Sequence, residues 1–394
     1  MSMRNSITGI DIGTHTTKVV VAEQGRNGVP KLIGCGSSKT NGMRHGYTTS
    51  VAKTTDSIRQ AIAKAEKSAK QKIRRAYISL GAQSLSTDVV HVTIAISKGD
   101  GEVTPLDIDK LIEKAENTLL KEKKNRHIMH SLPMTYYLDG KEIHGRPLGL
   151  YGDKLEAHVL FVSTFSHHFD DIVQSANDAG IDVLDVVAAP VAQAIPLLSE
   201  KQKTVGVGLV DIGDEITHIT IYENDTLIGI KTLPVGVSDV VNDIALGLQV
   251  SLEDAESLFK ELGVGAGRMS AQDKKIASIA EARTSEIFEM INGYLKKMRR
   301  EALLPAGIIV AGGGAHIYNI KDTAKEELQL PVHIMDDVQI PSQNTNCSGS
   351  SWLTAYGLCF LESDADPFLQ TNAITKVGSQ IKKMIGSFLH HFMP

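Results

Sequence analysis

The chain has 394 residues, of which 42% are hydrophobic and 22% are charged, and its formal net charge is −5. This length favours two or more subdomains and is sufficient to bury a large core. The slightly acidic balance gives no general attraction to nucleic acid, and no apolar run reaches the roughly 18–20 residues that span a bilayer. The N-terminus has no apolar signal core. We therefore expect a globular, cytoplasmic protein that does not bind nucleic acid.

The three cysteines are Cys35, Cys347 and Cys359. An odd, sparse and unclustered set argues against a disulfide framework and against a zinc site, and it is typical of a reducing compartment. We therefore expect three thiols without a special role.

The first predicted element is a β-hairpin that has a second copy later in the chain. Residues 9–24 read GIDIGTHTTKVVVAEQ, and residues 209–224 read LVDIGDEITHITIYEN. The identical positions, 200 residues apart, are Asp11, Ile12, Gly13, Thr17 and Glu23, and Asp211, Ile212, Gly213, Thr217 and Glu223. Each copy has an apolar strand, an Asp-x-Gly turn and a β-branched strand. The repeat predicts two similar α/β halves that face each other across a cleft.

The remaining elements follow from hydrophobic periodicity. After the first hairpin the pattern predicts a helix over 50–72 and a strand over 75–81. It then predicts a strand over 89–97, a helix over 105–121, and strands over 130–138 and 156–163. A helix over 165–179 and a strand over 181–187 follow. After the second hairpin it predicts helices over 237–248, 252–262 and 278–301, and a strand over 307–310 before an Ala-Gly-Gly-Gly-Ala turn and a further helix.

These elements predict the following domains. A first lobe takes residues 1–85 and 164–200, an inserted α+β subdomain takes 86–163, and a second lobe takes 201–361, with 237–305 as its helical subdomain. A polar, acidic linker follows at 362–375, and an amphipathic helix at 376–394 ends the chain.

The Asp-x-Gly turns and the late glycine run have the composition of a phosphate-binding site. Glycine lets backbone N–H groups approach a phosphate, hydroxyls add donors, and a carboxylate at the start of each turn can hold Mg²⁺ through water. The candidate residues are Asp11, Gly13, Thr14, Thr16, Thr17, Lys18, Asp211, Gly213, Gly312, Gly313 and Gly314. Asp11 and Asp211 are the candidates for holding Mg²⁺ and for catalysis. Taken alone, each turn could also be an ordinary hairpin connection.

The C-terminal residues carry an apolar stripe at helical spacing. The residues that we expect to contact a membrane are Val377, Ile381, Lys382, Lys383, Ile385, Phe388, Leu389 and Phe392. Such a helix would be about 27 Å long at 1.5 Å per residue. Its charged face prevents spanning, so the pattern predicts a helix that lies in the headgroup layer, with each lysine adding roughly 1 kcal/mol against anionic lipid. The alternative is a helix packed on the protein's own core or on a partner.

The order of hairpin, insertion, hairpin and strand-Gly-Gly-Gly resembles the actin/Hsp70/sugar-kinase superfamily, and within it the FtsA family. The resemblance is carried by IDIGTHTTKVVV, LPVGVSDVVNDIALGLQVSLEDAESLF, IIVAGGGAHI and ITKVGSQIKKMIGSFLHHF. It implies an α/β, actin-like two-lobed ATPase fold with an inserted subdomain. It further implies ATP and Mg²⁺ as cofactors, filaments of the chain with itself, and binding to membrane lipids. The implied partners are the tubulin-like division protein FtsZ and other division proteins, at the cytoplasmic side of the inner membrane.

The second turn departs from the family pattern. Relatives usually carry Asp-Ile-Gly-Gly-Gly-Thr, whereas this chain has Asp214, Glu215 and Ile216 after Gly213. Two unit charges 4 Å apart repel by about 1 kcal/mol in water and about 4 kcal/mol at a dielectric constant of 20. The acids should therefore weaken triphosphate binding unless Mg²⁺ bridges them or their side chains point away.

Two further departures concern nucleotide contact and hydrolysis. Relatives often carry Glu-x-x-Lys on the helix that flanks adenine, and the matching residues here are Glu256 and Lys260, one position further apart. Many relatives place an acid that helps to position water where this chain has Ala189. We therefore predict a nucleotide-binding scaffold, not an enzyme beyond at most a weak ATPase. The alternatives are a PilM-like pilus assembly protein, which would lack the amphipathic tail, and a sugar or acetate kinase.

Overall fold

The computed structural model describes residues 6–25, 28–97, 99–262, 269–335, 340–342 and 347–361. The predicted linker and amphipathic helix, 362–394, lie outside these ranges. The strands are β1 (Ser6–Ile12), β2 (Thr16–Glu23), β3 (Lys31–Lys39), β4 (Met43–Arg44), β5 (Tyr47–Thr48), β6 (Arg75–Leu80), β7 (Ser86–Ala95), β8 (Arg126–Leu138), β9 (Lys141–Ile143), β10 (Lys154–Phe165), β11 (Asp182–Ala188), β12 (Val207–Ile212), β13 (Thr217–Glu223), β14 (Thr226–Leu233), β15 (Ile308–Ala311) and β16 (Val332–Ile334).

The helices connect these strands. They are α1 (Val51–Ala69), α2 (Pro105–Glu122), α3 (Ser166–Asp178), α4 (Ala189–Leu197), α5 (Glu200–Val205), α6 (Val237–Leu248), α7 (Leu252–Leu262), α8 (Ala271–Lys297), α9 (Ile320–Leu328) and α10 (Leu353–Gly357). Within the described ranges, none of them combines the length and the apolar composition that crossing a bilayer requires.

Two five-stranded sheets form the halves of the molecule, and they have the same topology. The first has the order β3-β2-β1-β6-β11, and the second has the order β14-β13-β12-β15-β16. In each, three antiparallel strands are followed by two that run parallel to the first strand of the hairpin. The crossover connections are helical, as parallel pairing requires.

The two predicted hairpins have the same register. In the first, Asp11 pairs with Lys18 and Ile12 with Thr17; in the second, Asp211 pairs with His218. The internal repeat in the sequence is therefore a repeat in the structure, and it places the two aspartates at equivalent strand ends.

Helix α1 shows why the first half packs closely. Its N-terminus is capped by Ser50, and its buried face carries alanine and isoleucine at helical spacing. Strand β3 meets it through Gly34 and Gly36, where an added Cβ would lie 2.5 Å from Ala69 and 2.4 Å from the Ala61 carbonyl oxygen. These two glycines set the distance between helix and sheet.

The inserted subdomain is a four-stranded antiparallel sheet with one helix. The strand order is β7-β10-β8-β9, and α2 packs on one face around Leu111, Ala115 and Leu119. Helix α2 begins at Pro105 after Thr104, whose backbone N–H donates to Asp107. This reciprocal cap and the proline at the first position explain why the helix starts where the sequence predicts it.

The sequence-based prediction missed several elements. Strands β3, β14 and β16 were not predicted, and α8 begins at Ala271 rather than at 278. The glycine run after β15 does not lead directly into an α-helix. A single 3-10 turn over Gly313–His316 follows, and α9 begins only at Ile320.

The expectation of three unpaired thiols was wrong. Cys35 of β3 and Cys347 form a disulfide, with their Cα atoms 6.6 Å apart and a sequence separation of 312. Sequence spacing could not reveal this pair because only the fold brings the end of the chain back to the first sheet. Cys359 is buried and is not part of this disulfide.

One hydrophobic core extends from the first sheet into the base of the second. Besides the residues of the first lobe, it includes Val207, Leu209, Tyr222 and Ile309 from the second. A second core lies on the other face of the second sheet, under α6, α8 and α9. The halves are therefore joined at their base and separate above it, where the hairpin turns are found.

Candidate nucleotide site

A cleft of about 1620 Å³ lies between the two halves, and both hairpin turns open into it. Small-molecule sites in proteins usually occupy about 300–1,000 Å³, so the cleft has room for a ligand of nucleotide size. The predicted candidates that line it are Asp11, Gly13, Thr14, Thr16, Lys18, Asp211, Gly213, Glu256, Lys260, Gly312 and Gly313.

Asp11 and Asp211 lie at the floor of the cleft, at the ends of β1 and β12. Asp11 Oδ1 accepts a hydrogen bond of 2.6 Å from Ser79 Oγ, and Asp211 is hydrogen-bonded by the side chain of Gln193. Desolvation by the surrounding protein raises the pKa of both carboxyl groups, and the nearby Lys18 ammonium opposes that shift in both. The two acids and this lysine therefore form one electrostatic unit.

The backbone of each turn is tight. An added Cβ at Gly13 would lie 3.0 Å from the Thr16 carbonyl oxygen, and one at Gly213 would lie 2.8 Å from the Ile216 carbonyl oxygen. The Gly213 N–H donates to that Ile216 oxygen at 2.9 Å. Glycine is needed here because the Cβ of any other residue would lie closer to these carbonyl oxygens than van der Waals contact allows.

The third segment of the cleft wall is the glycine run after β15. Gly312 has φ of +87°, and an added Cβ would lie 2.3 Å from Asp211 Oδ1, so a side chain has no room there. Gly313 faces open space, with no atom within 4 Å of such a Cβ. Gly312 is thus packed directly against Asp211, and the backbone of Gly313 is exposed to the cleft.

Two predicted site residues do not line the cleft. Thr17 is fully buried, and its hydroxyl is hydrogen-bonded to Thr40 at 2.8 Å. Its counterpart Thr217 is also buried, and it donates to the Val235 carbonyl oxygen. Gly314 packs against Ile212, where an added Cβ would lie 2.3 Å from Cγ2. The prediction that Thr17 and Gly314 face a ligand is therefore corrected: these residues support the loops from behind.

The acidic residues of the second turn have different orientations. Asp214 lines the cleft, and its Oδ2 lies 3.8 Å from His15 Nδ1 of the first turn, an ion-pair distance. Glu215 does not line the cleft, because its carboxylate accepts a hydrogen bond of 2.6 Å from the His45 backbone N–H. Only one of the two predicted repulsive charges therefore faces the ligand space. Ile216 lines the wall with a buried side chain.

The N-terminus of α6 is already occupied by the second turn. Val237 N–H donates to the Gly213 carbonyl oxygen at 3.0 Å, and Ser238 N–H donates to the Asp214 carbonyl oxygen at 2.8 Å. Gly236 permits this approach, since an added Cβ there would lie 2.3 Å from the Asp214 oxygen. These contacts fix the turn relative to the helical subdomain.

Glu256 and Lys260 lie on α7 at the cleft wall and form an ion pair with each other, with 2.6 Å between Oε1 and Nζ. Lys260 accordingly lowers the pKa of Glu256. The i,i+4 spacing makes this pair on one helix face possible.

Sequence reasoning missed several cleft residues. Gln193 on α4 is 1% exposed, lines the cleft, and within the described part of the chain has no hydrogen-bond partner for its Oε1. It stands one helical turn after Ala189, so the i,i+4 rule applied to that position could have found it. His15 was overlooked because neighbouring threonines matched the family pattern. Ser79 does not line the cleft but supports Asp11 from behind, and it could not be found without the pairing of β1 with β6.

Comparison with known proteins gives consistent results at the level of sequence. The model "Cell division protein FtsA" matches residues 208–357, and the model "SHS2 domain inserted in FTSA" matches residues 82–163. The cell division protein FtsA of Pseudomonas aeruginosa is 27% identical over 346 residues, 83% of this chain and 82% of that protein. The FtsA of Escherichia coli K12 is 24% identical over 410 residues, 97% of each.

Two solved structures show the same architecture. A PilM–PilN type IV pilus biogenesis complex superposes with a TM-score of 0.68 at 16% identity, over 90% of this chain and 98% of that one. MreB5 of Spiroplasma citri bound to AMPPNP gives 0.51 at 13% identity, over 97% and 99%. At these identities the likeness concerns the fold alone.

The duplicated sheets, the cleft between them and the inserted subdomain define an actin-like α/β protein. The two family models together take in more than half of the chain, and the match to the Escherichia coli relative covers 97% of both proteins. The chain belongs to the FtsA family of actin-like cell division proteins.

Proposed function

We propose that this protein is an ATP-binding scaffold of cell division. The observation that carries the proposal is that the two duplicated turns bring Asp11 and Asp211 into one cleft. The positive charge of Lys18 interacts with both carboxyl groups. The unpaired Gln193 Oε1 at the cleft wall and the open backbone at Gly313 leave acceptor and donor groups for a ligand. These features fit a nucleotide with Mg²⁺.

The residues of the cleft would have distinct roles in such a site. Asp11 and Asp211 would hold Mg²⁺ through water, and the ion would neutralise phosphate charge. Lys18 and the N–H groups of the turns would hold the phosphates, and the Glu256–Lys260 face of α7 would flank the base. Ala189 offers no base for an attacking water, so we propose that hydrolysis is weak or lost.

Calorimetric titration of the full chain with ATP, with and without Mg²⁺, tests the site. We expect binding that Mg²⁺ strengthens and that Lys18→Ala weakens by about tenfold or more, as loss of a charged contact requires. Lys72→Ala is the matched control, because Lys72 lies on the surface paired with Glu66. Absence of binding at millimolar ATP would remove the cofactor from the proposal. Phosphate transfer to a sugar in a coupled assay would favour the kinase alternative.

The scaffold would attach to the membrane through its C-terminal residues. The support is the sequence pattern at 376–394, which alternates lysine with bulky apolar residues. One such helix binds reversibly, and a filament that presents many of them gains through effective concentration. We therefore propose that polymerisation and membrane binding reinforce each other, at the cytoplasmic side of the inner membrane.

Sedimentation with anionic vesicles tests this attachment. A chain ending at residue 375 should stay in the supernatant, and Phe388→Glu in the full chain should have a similar effect because it places a charge in the apolar stripe. Ser387→Glu, on the polar face, is the matched control. Undiminished sedimentation of the shortened chain would exclude the tail as the anchor. Recruitment of FtsZ to vesicles only when the full chain is present would support the proposed tethering.

A further inference from the structure

Glu215 makes a contact between the two lobes outside the cleft. Its Oε2 accepts a hydrogen bond of 2.6 Å from the His45 backbone N–H, and its own carbonyl oxygen lies 3.2 Å from His45 Nδ1, which donates in this arrangement. The residues are 170 positions apart, one in the β4–β5 turn of the first lobe and one in the second hairpin turn. The contact therefore spans the lobes.

The β4–β5 turn is held firmly enough to receive this contact. At its tip Gly46 has φ of +80°, and an added Cβ would lie 2.1 Å from the Gly81 carbonyl oxygen. The Gln83 N–H donates to the His45 carbonyl oxygen at 3.4 Å. At its foot the Gly42 carbonyl oxygen accepts from Thr49 N–H at 2.7 Å. The turn is thus packed against β6 and its loop rather than standing free.

The other partner is equally fixed. The carbonyl groups of Gly213 and Asp214, directly before Glu215, accept from the first N–H groups of α6. A hydrogen bond from a backbone N–H to a carboxylate is worth more than a neutral one, particularly where water has limited access. Both ends of the contact are therefore held rigidly to their own lobes, so the contact couples the position of one lobe to that of the other.

We propose that Glu215 is a clasp that holds the two lobes together outside the cleft in the absence of nucleotide. A ligand can shift the equilibrium between open and closed lobes only by its differential affinity for the two states. A contact between the lobes that is made by protein groups lowers the free energy of closure that a ligand must supply. Glu215, which stands where the family pattern has glycine, would therefore hold the lobes together.

Hydrogen exchange of the full chain without nucleotide, followed by mass spectrometry, tests the clasp at its receiving end. In Glu215→Ala the amides of residues 43–49 should exchange about tenfold faster, because the loss of a charged acceptor frees the turn. Glu215→Gln keeps an oxygen acceptor and removes the charge, so it should remain much closer to the wild type. Exchange at 75–80 in β6 reports whether each variant is folded.

The matched pair separates the loss of the oxygen acceptor from the loss of the negative charge. If the two variants accelerate exchange at 43–49 equally, or if Glu215→Ala leaves it unchanged, the clasp is refuted. A measurement on the wild type needs no variant: residues 43–49 should already be protected without nucleotide, and protection that arises only with ATP and Mg²⁺ would also refute it. Because these readouts need no ligand, a failure of ATP binding would leave the result intact.

Discussion

Asp185 is a carboxyl group buried in the first sheet. It is 5% exposed, and its Oδ1 accepts from the backbone N–H of the next residue at 2.7 Å. It lies in β11 at a point where the register with β6 is irregular. Burial raises its pKa to about 7. Such a group carries a cost that depends on pH, since ionisation is favoured in the unfolded chain.

Asp185→Asn should stabilise the protein, and more at high pH. Since the folded state holds the proton up to about pH 7 and the unfolded state releases it near pH 4, stability falls as pH rises between these values. At 1.36 kcal/mol per pKa unit, we expect a gain of about 3–4 kcal/mol at pH 8, exceeding that at pH 5 by about 3 kcal/mol. Urea unfolding at both pH values measures it. The exposed Asp182→Asn is the control, and a gain independent of pH would contradict the assignment.

Arg126 makes a set of hydrogen bonds where the inserted subdomain meets the first lobe, beside the packing of Met129 and Leu132 into the first core. Arg126 at the start of β8 donates from Nη2 to the Ser84 carbonyl oxygen at 2.8 Å and to the Ser163 carbonyl oxygen at 2.6 Å. It also donates to the hydroxyls of Ser86 and Ser163. Residues 84–86 and 163 are the two points where the chain enters and leaves the insertion, so one guanidinium connects both crossings.

Arg126→Ala should loosen the insertion as a unit. The variant leaves two carbonyl oxygens without a donor, and we expect a loss of about 2–4 kcal/mol. Arg126→Lys should recover only part of it, since one ammonium cannot reproduce the planar fork. Hydrogen exchange at residues 84–86 should accelerate while that of β12 stays unchanged. If residues 84–86 and 163 in Arg126→Ala were as protected from exchange as in the wild type, packing alone would hold the insertion.

Elements with complete local signals could be predicted from the sequence. Helices α6 and α7 have the predicted bounds because their apolar periodicity is strong, and α2 has a proline and a reciprocal cap. Strand β3 was missed because Gly34 and Gly36 weaken its β-pattern, and the reason for those glycines is the approach of α1. Helix α8 was predicted to start late because its polar first turns carry few apolar residues beyond Ile276.

The cleft as a whole could be predicted because it is duplicated. The repeat of Asp11 at Asp211 required only a comparison of the sequence with itself. What could not be predicted depends on distance across the fold: the contact of Glu215 with His45 and the burial of Thr17 against Thr40. The same residue types occur in a ligand-binding turn and in a structural one, and only the position of the opposite lobe decides between them.

The closing of the chain onto its first sheet leads to a prediction about the whole molecule. Cys347 is joined to Cys35, and shortly after it Ser350 donates from Oγ to the Gly312 carbonyl oxygen at 3.1 Å, beside the cleft. The disulfide thus fastens the segment that supports the glycine run. A bond across 312 residues restricts the unfolded chain strongly, and such bonds typically contribute about 2–4 kcal/mol.

We expect the oxidised protein to lose about 2–5 °C of its thermal midpoint when a reductant is added, given the entropy of unfolding of a chain this long. Differential scanning calorimetry measures the shift. Cys35→Ser should melt at the reduced midpoint and should not respond to reductant, whereas Cys359→Ser should keep the response because Cys359 is not part of the Cys35–Cys347 disulfide. Reduction bears on the proposed location at the cytoplasmic side of the membrane, because cytoplasmic thiols are normally kept reduced. An identical midpoint in both redox states would mean that packing around Leu353 and Ala355, not the disulfide, holds the last segment on the first lobe.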